Sequence, residues 1–435
     1  MKRQLPVYRF ICRTLQCFAS CSFYRLVHRR GGIVPRGLTP LAAALALIPA
    51  TAGAETFGAA TLNEHQVAYA LGTIGQEDIT GTELGQALSA LRTAGAGDAS
   101  RELLYSLGGA GLSGVQKVLS ADSTQHLQTL RSTLRSLQEG HPVYSTPGKD
   151  AIPWLGNGSV SAALTGGTDR VNGRPDTGDY TRDNVGFILT ELSPLDENWT
   201  FGCSFAYSSS DAHCHGVSID TDAYYSDFAI LYNRGRLHQL VTLGAGFYRF
   251  DTTRTVGIPG SSSHHTSALG STSATAVTFS YEVSYELIRS SDARHSLSPV
   301  AMAEATFAQF KDMYESGAGN AGLHSTWDNV QCLTVGTGFR YTYRFELQKQ
   351  PGFFSLDVLT LATSGDDTMT VTSQFLGGGG SFEQWGPKAG GSALRLNAAT
   401  IVPLSESWAL LGNVSAEFRS HQSCVSGSAG AVFSF

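Results

Sequence analysis

Residues 277–287 read VTFSYEVSYEL and carry the clearest periodic pattern in the chain. Its side chains alternate between two faces. One face carries Val277, Phe279, Tyr281, Val283, Tyr285 and Leu287, and the other carries Thr278, Ser280, Glu282, Ser284 and Glu286. A two-residue period of this kind predicts a β-strand with one apolar and one polar face.

The same alternation recurs from about residue 158 to the end of the chain. It is clear in WTFGCSFAYS (199–208), LTVGTGFRYTYRF (333–345), WALLGNVSAEFR (408–419) and the terminal SGSAGAVFSF (426–435). Strands that cross lipid need about 9–11 residues, whereas strands of a soluble sandwich typically have about 5–6. We therefore predict an all-β transmembrane antiparallel β-barrel of about twelve strands, preceded by a short α-helical region.

The spacing of these segments predicts the topology. They lie at about 158–169, 183–193, 198–208, 220–233, 237–252, 273–288, 294–308, 328–345, 352–365, 390–403, 407–419 and 424–435. Short turns such as SPLDEN and NRGR alternate with longer, Gly/Ser-rich connections such as 256–273 and 364–391. Short periplasmic turns and long external loops are typical of bacterial outer-membrane barrels.

Composition and motifs exclude several classes of protein. The net charge of −6 gives no reason to expect nucleic-acid binding. After the N-terminus, no apolar run approaches the roughly 20 residues of a membrane-spanning helix. The four glycines at 377–380 lack the Lys-Ser/Thr of a phosphate loop, and neither G-x-S-x-G nor H-E-x-x-H occurs. We therefore expect no cofactor and no enzymatic activity.

The N-terminus has the features of an export signal. Basic residues recur up to Arg36, the apolar stretch LAAALALIPA follows, and Ala52-Gly53-Ala54 forms a small-residue cleavage site. We predict a signal peptide at 1–54, handled by the general secretory translocon, and a mature protein that starts at Glu55. The alternative is an uncleaved membrane anchor.

Residues 62 to about 140 carry leucines at helical spacings of three and four. The last segment has one clear stripe, formed by Leu127, Leu130, Leu134 and Leu137. Three prolines between residues 142 and 153 then mark a linker. We divide the chain into a signal peptide (1–54), a short helical, passenger-like region (55–123), a linker or pore-helix region (124–157) and a β-barrel domain (158–435).

Several stretches, in order, resemble the translocator domain of autotransporters. They are GDYTRDNVGFILT (178–190), NWTFGCSFAYSSSD (198–211), DAYYSDFAILYNRGRLHQLVTLGAGFYRFDTTR (222–254), the long run from Phe375 to Arg419, and the terminal AVFSF. NEHQVAYALGT and RELLYSLGG are similar to the short helical stretch that often precedes these barrels. The resemblance implies a twelve-stranded barrel whose lumen holds an α-helix that joins the barrel to a secreted passenger.

The resemblance also implies roles for particular residues. QHLQTLRSTLRSLQEG (125–140) is the candidate pore helix, and the candidate lumen-lining residues are Glu282, Glu304, Arg340 and Glu417. The C-terminal aromatic of the family signals to the outer-membrane barrel-assembly machinery, which points here to Phe435, supported by Phe433. The other implied partners are periplasmic chaperones and outer-membrane lipid.

The implied function is an outer-membrane barrel that anchors, translocates and displays its own N-terminal segment at the cell surface. The residues between the predicted cleavage site and the first strand are expected to be helical, so they do not resemble the large β-helical passenger that is usual in the family. The alternative is a stand-alone surface barrel, adhesin-like or porin-like, whose N-terminal helices stay in the periplasm or plug the lumen.

The external loops offer further candidate sites. His213, Cys214 and His215, together with Ser263-His264-His265, His324 and His421, could bind zinc or copper at the barrel mouth, but their spacing matches no established metal motif. A rim protease site could combine His213 with Asp211, Asp251, Asp366 and Asp367, for which solvated loop charge is the simpler explanation. A Cys214–Cys424 disulfide and the oligomeric state are left open.

Overall fold

The computed structural model describes residue 59 and the ranges 61–74, 81–94, 98–140, 158–173, 177–257, 265–347, 349–365, 369–388 and 390–435. All of these residues belong to one compact unit, Ala54–Phe435. The predicted cleavage site at Ala52 and Ala54 lies outside the described residues, as do the linker at 141–157, His264, Asp366 and Asp367.

The alternating segments form strands. In chain order these are β1 (Ser159–Val171), β2 (Tyr180–Pro194), β3 (Trp199–Cys214), β4 (Val217–Arg234), β5 (Leu237–Gly257), β6 (His265–Tyr285), β7 (Ile288–Arg289), β8 (His295–Phe310), β9 (Met313–Tyr314), β10 (Leu323–Trp327), β11 (Val330–Leu347), β12 (Gln350–Gly365), β13 (Thr370–Phe375), β14 (Phe382–Trp385), β15 (Ser392–Pro403), β16 (Trp408–Arg419) and β17 (Gln422–Ser434).

Twelve of these strands close into an antiparallel barrel, as predicted. The main sheet has thirteen strands, but the two-residue β7 only extends the edge of β8, and the other twelve are each paired on both sides. β8 pairs with β11, and the last strand, β17, pairs with β1 from Ser159↔Ser434 to Val171↔Gln422. A closed barrel leaves no strand edge unpaired, which is required in lipid.

We name the two ends of the barrel by their connections. The turn end holds the start of β1 and the end of β17. The loop end is opposite and includes the β3–β4 turn at His215 and Gly216. Aromatic side chains gather at the turn end, where the Trp408 and Phe433 rings are 5.0 Å apart. Such girdles are found where barrels meet the membrane interface.

The alternation of VTFSYEVSYEL sorts its side chains as the sequence predicts. On β6, Val277 and Phe279 point outward and are 47% and 40% exposed, whereas Ser280 and Glu282 are buried inside. The outward apolar face is the one that suits lipid, and the inward face is polar.

The described residues contain four α-helices before the barrel. They are α1 (Leu62–Gly72), α2 (Glu83–Ala94), α3 (Asp98–Gly108) and α4 (Gly114–Gly140), and a 3-10 turn at Ala110–Ser113 precedes α4. Thr61 begins α1 with a capping box, because its hydroxyl and the Glu64 carboxylate each accept the other residue's backbone N–H. None of these helices is both long and apolar enough to cross a membrane.

A second sheet lies at the loop end. It has the order β14-β13-β10-β9 and comes from the β8–β11 and β12–β15 connections. Phe375 and Phe382 of this sheet share a buried apolar core with leucines of α1, α2 and α3 such as Leu71, Leu84 and Leu104. We call this assembly the cap, and it consists of residues 61–74, 81–94, 98–113, 311–327 and 369–386.

Two polar contacts fix the cap. The Asn63 side chain accepts the backbone N–H of Trp385 at 3.0 Å and donates to its carbonyl at 3.1 Å, so it completes the edge of β14 as a neighbouring strand would. Arg254 of β5 pairs with Glu315 of the cap, and its guanidinium also donates to the Ser106 and Leu107 carbonyls near the end of α3. The cap is thereby joined to the barrel wall.

Three predicted external connections contain regular structure. β5 and β6 run to Gly257 and from His265, so most of 256–273 is the stem of a hairpin. The 364–391 connection includes β13 and β14, and β3 extends through Cys214 into the supposed loop 211–216. Outside the membrane these strands need no apolar outer face, so the pattern that revealed the lipid-facing segments is absent there.

Candidate functional site

The barrel lumen is the candidate functional site, and α4 occupies it. At the loop end Gly114 lies against Cys214 and Ile219, and at the turn end Glu139 pairs with Arg344 at 3.2 Å. The helix begins at Gly114, upstream of the boundary at 124 that the sequence suggested.

The leucine stripe of α4 faces the barrel wall. Leu130, Leu134 and Leu137 are buried and belong to one apolar core with wall residues such as Leu192 and Val432. Gly202 of β3 permits this approach, because a Cβ atom there would lie 3.1 Å from Leu134 and 2.8 Å from Leu192. One side of the lumen is therefore apolar, whereas the sequence pointed only to a polar lining.

Charged groups line the other side, in two clusters. In the Glu282–Asp357 cluster, Arg340 of β11 donates to both carboxylates at 2.8 Å. Arg135 of α4 reaches the same two groups, at 2.9 Å from Asp357 and 3.4 Å from Glu282. Two wall carboxylates are thus balanced by one wall arginine and one helix arginine.

The Glu304–Glu417 cluster is built in a similar way. Arg395 of β15 lies 3.2 Å from Glu304 and 2.9 Å from Glu417. Arg131 of α4 contacts Glu304 at 2.8 Å, and Arg419 contacts Glu417 at 2.7 Å. Gln128 of α4 adds a hydrogen bond to Glu417 at 3.3 Å.

Nearer the loop end, one ion pair has its negative group on the helix and its positive group on the wall. There Asp122 of α4 pairs with the buried wall residue Arg182, which also donates to Gln125 at 3.0 Å. Between these levels His126 lies 2.8 Å from Asp227 of β4 and stacks on the Tyr225 ring at 4.0 Å. Because oppositely charged partners occur at different heights, only one axial position of α4 satisfies all of them.

Little free space remains beside the helix. A cavity of about 60 Å³ lies along the loop-end half of α4, where Ser120, Ala121 and Thr124 present small side chains. Lys117, Asp169 and Glu417 are among its lining residues. This volume holds only a few water molecules.

All four candidate lining residues (Glu282, Glu304, Arg340 and Glu417) are buried on the lumen side. The structure places them in two separate clusters, together with Arg131 and Arg135 of the candidate pore helix. It adds Asp357 and Arg395 of the wall, which were not among the predicted lining residues. Asp357 and Arg395 lie in the alternating segments 352–365 and 390–403, at inward positions, so the same two-residue period was the signal that could have found them.

The C-terminal aromatics lie at the turn end. Phe435 exchanges two backbone hydrogen bonds with Gly158, and its ring is 6.0 Å from that of Phe433. The C-terminal residue therefore forms the last backbone hydrogen-bonded pair between the end of β17 and the start of β1.

Among the residues that the structure describes, the candidate rim residues form no assembled metal or protease site, and His264, Asp366 and Asp367 lie outside those residues. His213 contacts Ser218 at 3.1 Å and Asp211 at 3.7 Å, with His213 and Asp211 each 64% exposed to solvent. Within the described residues, no group of three or more His, Cys, Asp and Glu side chains is arranged to hold a metal ion. Cys203, Cys214, Cys332 and Cys424 are free, so Cys214 and Cys424 form no disulfide here.

An acidic arc marks the outer face of the barrel towards the loop end. Asp183, Asp211, Asp220 and Asp251 are direct cross-strand neighbours on β2, β3, β4 and β5. Like charges placed opposite one another destabilise a sheet, and water and salt weaken that repulsion. The arc therefore lies in water, beyond the lipid-facing band.

Comparison with known proteins places this geometry in a family. The sequence profile of the autotransporter β-domain matches residues 160–415, more than half of the chain. The chain therefore belongs to the autotransporter β-domain family. No curated protein matches it in sequence.

One solved structure shares the fold, and two others resemble it with lower scores. The translocator domain of the autotransporter NalP from Neisseria meningitidis is 14% identical with a TM-score of 0.51, and the match covers 72% of this chain and 98% of that one. The transport unit of AIDA-I from Escherichia coli is 9% identical (TM-score 0.45, covering 70% and 98%). The β-domain of the Bordetella autotransporter BrkA is 14% identical (TM-score 0.44, covering 64% and 99%).

Family membership and the closed barrel define the class of protein. The chain is an outer-membrane β-barrel of the autotransporter type, which displays an N-terminal passenger from the bacterial outer membrane. Barrels of this family serve transport and anchoring. The alternative of a stand-alone surface barrel is not favoured.

Proposed function

We propose that the displayed passenger is the cap helices α1, α2 and α3, and that α4 remains in the lumen as their tether. The observation that carries the proposal is the path of the chain. From the barrel at the turn end, α4 runs through the lumen, and the cap helices lie at the loop end beside the β3–β4 turn. With the turn end in the periplasm, residues 61–113 lie outside the cell.

The proposal moves the predicted boundary between the passenger-like region and the pore helix from 124 to Gly114 and keeps the rest of the predicted division. The events then follow in order along the chain. The signal peptide 1–54 directs export through the general secretory translocon, and cleavage after Ala54 releases the segment that starts at Glu55. Periplasmic chaperones then hold the chain until the barrel-assembly machinery inserts it. Non-polar outward side chains such as Leu164 and Val185, which are 71% and 64% exposed, support contact with lipid.

Protease accessibility on intact cells tests the display. One epitope tag follows Ala54, a second near Ser262 is the external control, and a third between Asp292 and Ala293 is the periplasmic control at the turn end. We expect protease to remove the first two tags and spare the third. An intact tag after Ala54, with the tag near Ser262 removed, would show that the helices stay inside the cell.

We also propose that Phe435, supported by Phe433, is the assembly signal. The supporting observation is that Phe435 ends the closing strand pair at the turn end. The substitution Phe435→Ala keeps the backbone pairing with Gly158 and removes only the ring, so we expect less heat-modifiable barrel in the outer membrane. Val425→Ala, on the lipid face of the same strand, is the matched control. Equal amounts for Phe435→Ala and wild type would remove the assignment.

A further inference from the structure

The charges of the lumen do not balance without α4. At mid-height and towards the turn end, the wall presents five buried carboxylates, from Asp227, Glu282, Glu304, Asp357 and Glu417. The guanidinium groups of the wall that contact them come from Arg340, Arg395 and Arg419. The wall therefore has two more negative than positive charges at this level.

The remaining described charges of the wall do not change this difference. Near the loop end Asp169 and Arg182 are of opposite sign, and Arg254 is paired with Glu315 of the cap. At the turn end Glu286 pairs with Arg344 at 2.7 Å. The excess of two negative charges thus belongs to a layer around the middle of the lumen. We call its five residues, Asp227, Glu282, Glu304, Asp357 and Glu417, the carboxylate layer.

α4 supplies the compensating charge. Arg135 binds both carboxylates of the Glu282–Asp357 cluster, and Arg131 binds Glu304. His126 lies against Asp227, whose second oxygen has no hydrogen-bond partner within the described structure. The two guanidinium groups are cations already bound in the layer, so the layer is demonstrably a place where positive groups are held.

We propose that the lumen conducts cations in preference to anions whenever α4 is displaced, and that the carboxylate layer is its selectivity element. Rings of Asp and Glu select cations in channels because a fixed negative charge attracts cations and repels anions inside a narrow, low-dielectric pore. With α4 gone, the Glu282–Asp357 cluster keeps a net negative charge, and hydrated K⁺ or Na⁺ takes the place of the Arg135 guanidinium. The loop-end pair Asp169 and Arg182 adds no net charge to this path.

The inference rests on the proposed retention of α4 in the lumen but not on display of the cap. Full-length protein is purified, inserted into planar lipid bilayers, and studied under a KCl gradient. The Arg131→Gln/Arg135→Gln variant removes ion pairs that hold α4 in the lumen, so we expect its pore to open more often than the pore of the wild type. In both proteins the reversal potential of the open state should show K⁺ permeating several-fold better than Cl⁻.

A second pair of substitutions locates the selectivity. Adding Glu282→Gln and Asp357→Asn to the double variant leaves Arg340 without its carboxylates, so we expect the preference for K⁺ to fall to near zero or to reverse. The matched control adds Asp220→Asn and Asp251→Asn, which remove the same number of carboxylates from the outward acidic arc and should leave the reversal potential unchanged. Each variant is first checked for the heat-modifiable mobility of a folded barrel, and Glu304→Gln replaces the pair if the combined variant fails this check.

The possible outcomes separate the proposals. Openings without ion preference, anion-selective openings, or a preference abolished by the outward control would overturn the inference. So would a protein that never opens in any variant, because its lumen would have no conducting state. Cation-selective openings combined with a protease-protected tag after Ala54 would refute surface display of the cap helices and leave the inference about cation selectivity standing.

Discussion

The lumen and the cap hold helices of the same chain by different means. In the lumen, buried guanidinium and carboxylate groups bind α4 at several heights, with one leucine face against an apolar wall. In the cap, α1, α2 and α3 pack through a continuous apolar core, and Asn63 adds a backbone-like hydrogen-bond pair to Trp385.

This difference reflects where each contact forms. The cap resembles a small soluble domain, for which apolar burial is the main driving force. The lumen wall must alternate with a lipid-facing side, so its inward positions are mostly polar and can pair only with matching polar groups. Charge pairs at fixed heights specify the register of α4, whereas the cap core specifies mainly shape. Four predictions test this contrast.

The largest expected effect is at Arg135. Arg135→Gln leaves Asp357 and Glu282 sharing Arg340 alone, and removing one partner of a buried ion pair typically costs about 3–5 kcal/mol. We expect a matching loss in the stability of the folded barrel, measured by the urea midpoint of heat-modifiable mobility. The control is Arg92→Gln on α2, which lies in the cap and not in the lumen. Equal midpoints for the two variants would contradict the ionic account of the lumen.

Next in size is the leucine face of α4. Leu134→Ala removes buried apolar volume beside Gly202 and should destabilise the barrel by about 3 kcal/mol. Leu134→Met keeps most of that volume and should cost less than about 1.5 kcal/mol. The same urea titration measures both. If Leu134→Ala has no effect, the apolar side of the lumen does not hold the helix.

A smaller effect is expected in the cap. Asn63→Ala leaves the Trp385 N–H and carbonyl without their partner, at a cost of about 1–3 kcal/mol. Hydrogen exchange should then quicken in α1 and β14 while α4 stays protected. The neighbouring exposed substitution His65→Ala serves as the control. Equal loosening of α4 would show that the cap and the lumen are one cooperative unit.

The smallest effect concerns pH at the junction of cap and barrel. His215 closes the β3–β4 turn in the left-handed region (φ 45), and its ring lies edge-on to Tyr105 of α3 at 4.4 Å. Burial lowers the pKa of the His215 imidazole, an effect that Asp179 and Glu64 oppose.

The sign of the pH effect follows from this shift. The folded pKa lies below the unfolded value of about 6.5. The contribution of neutral His215 to folding stability is therefore complete above about pH 6.5 and is lost as the pH falls from there through the folded pKa. The protection of α3 against hydrogen exchange, corrected for the pH dependence of intrinsic amide exchange, should be lower at about pH 5 than at about pH 8. His215→Asn tolerates the left-handed turn and should reduce this dependence. An unchanged pH profile in the variant would exclude His215 as its source.

Local sequence patterns were sufficient for the barrel and insufficient for the cap. The period of two in segments such as VTFSYEVSYEL predicts each lipid-crossing strand, because lipid outside and a filled lumen inside impose opposite chemistry on successive residues. β9, β10, β13 and β14 are short and lie outside the membrane, so no such constraint shapes their sequence.

The lumen site likewise has a part that the sequence predicts and a part that it does not. The inward positions of Glu282, Glu304, Arg340 and Glu417 follow from strand parity together with the family resemblance. Their partners do not, because Arg340 meets Asp357 on the next strand and Arg135 on a helix far earlier in the chain. Which side of the lumen receives the leucine stripe also depends on the rotation of α4, which sequence spacing leaves undetermined.

Local periodicity was enough to predict the twelve barrel strands, their inward and outward faces, the helical nature of residues 62–140 and the charges available to the lumen. The folded chain alone reveals which charges meet, that α4 begins at Gly114, and that α1, α2 and α3 fold onto a sheet made from two distant connections. This is because periodicity records the environment on each side of a single element. Pairing between elements depends on barrel closure and on the height and rotation of the helix inside it.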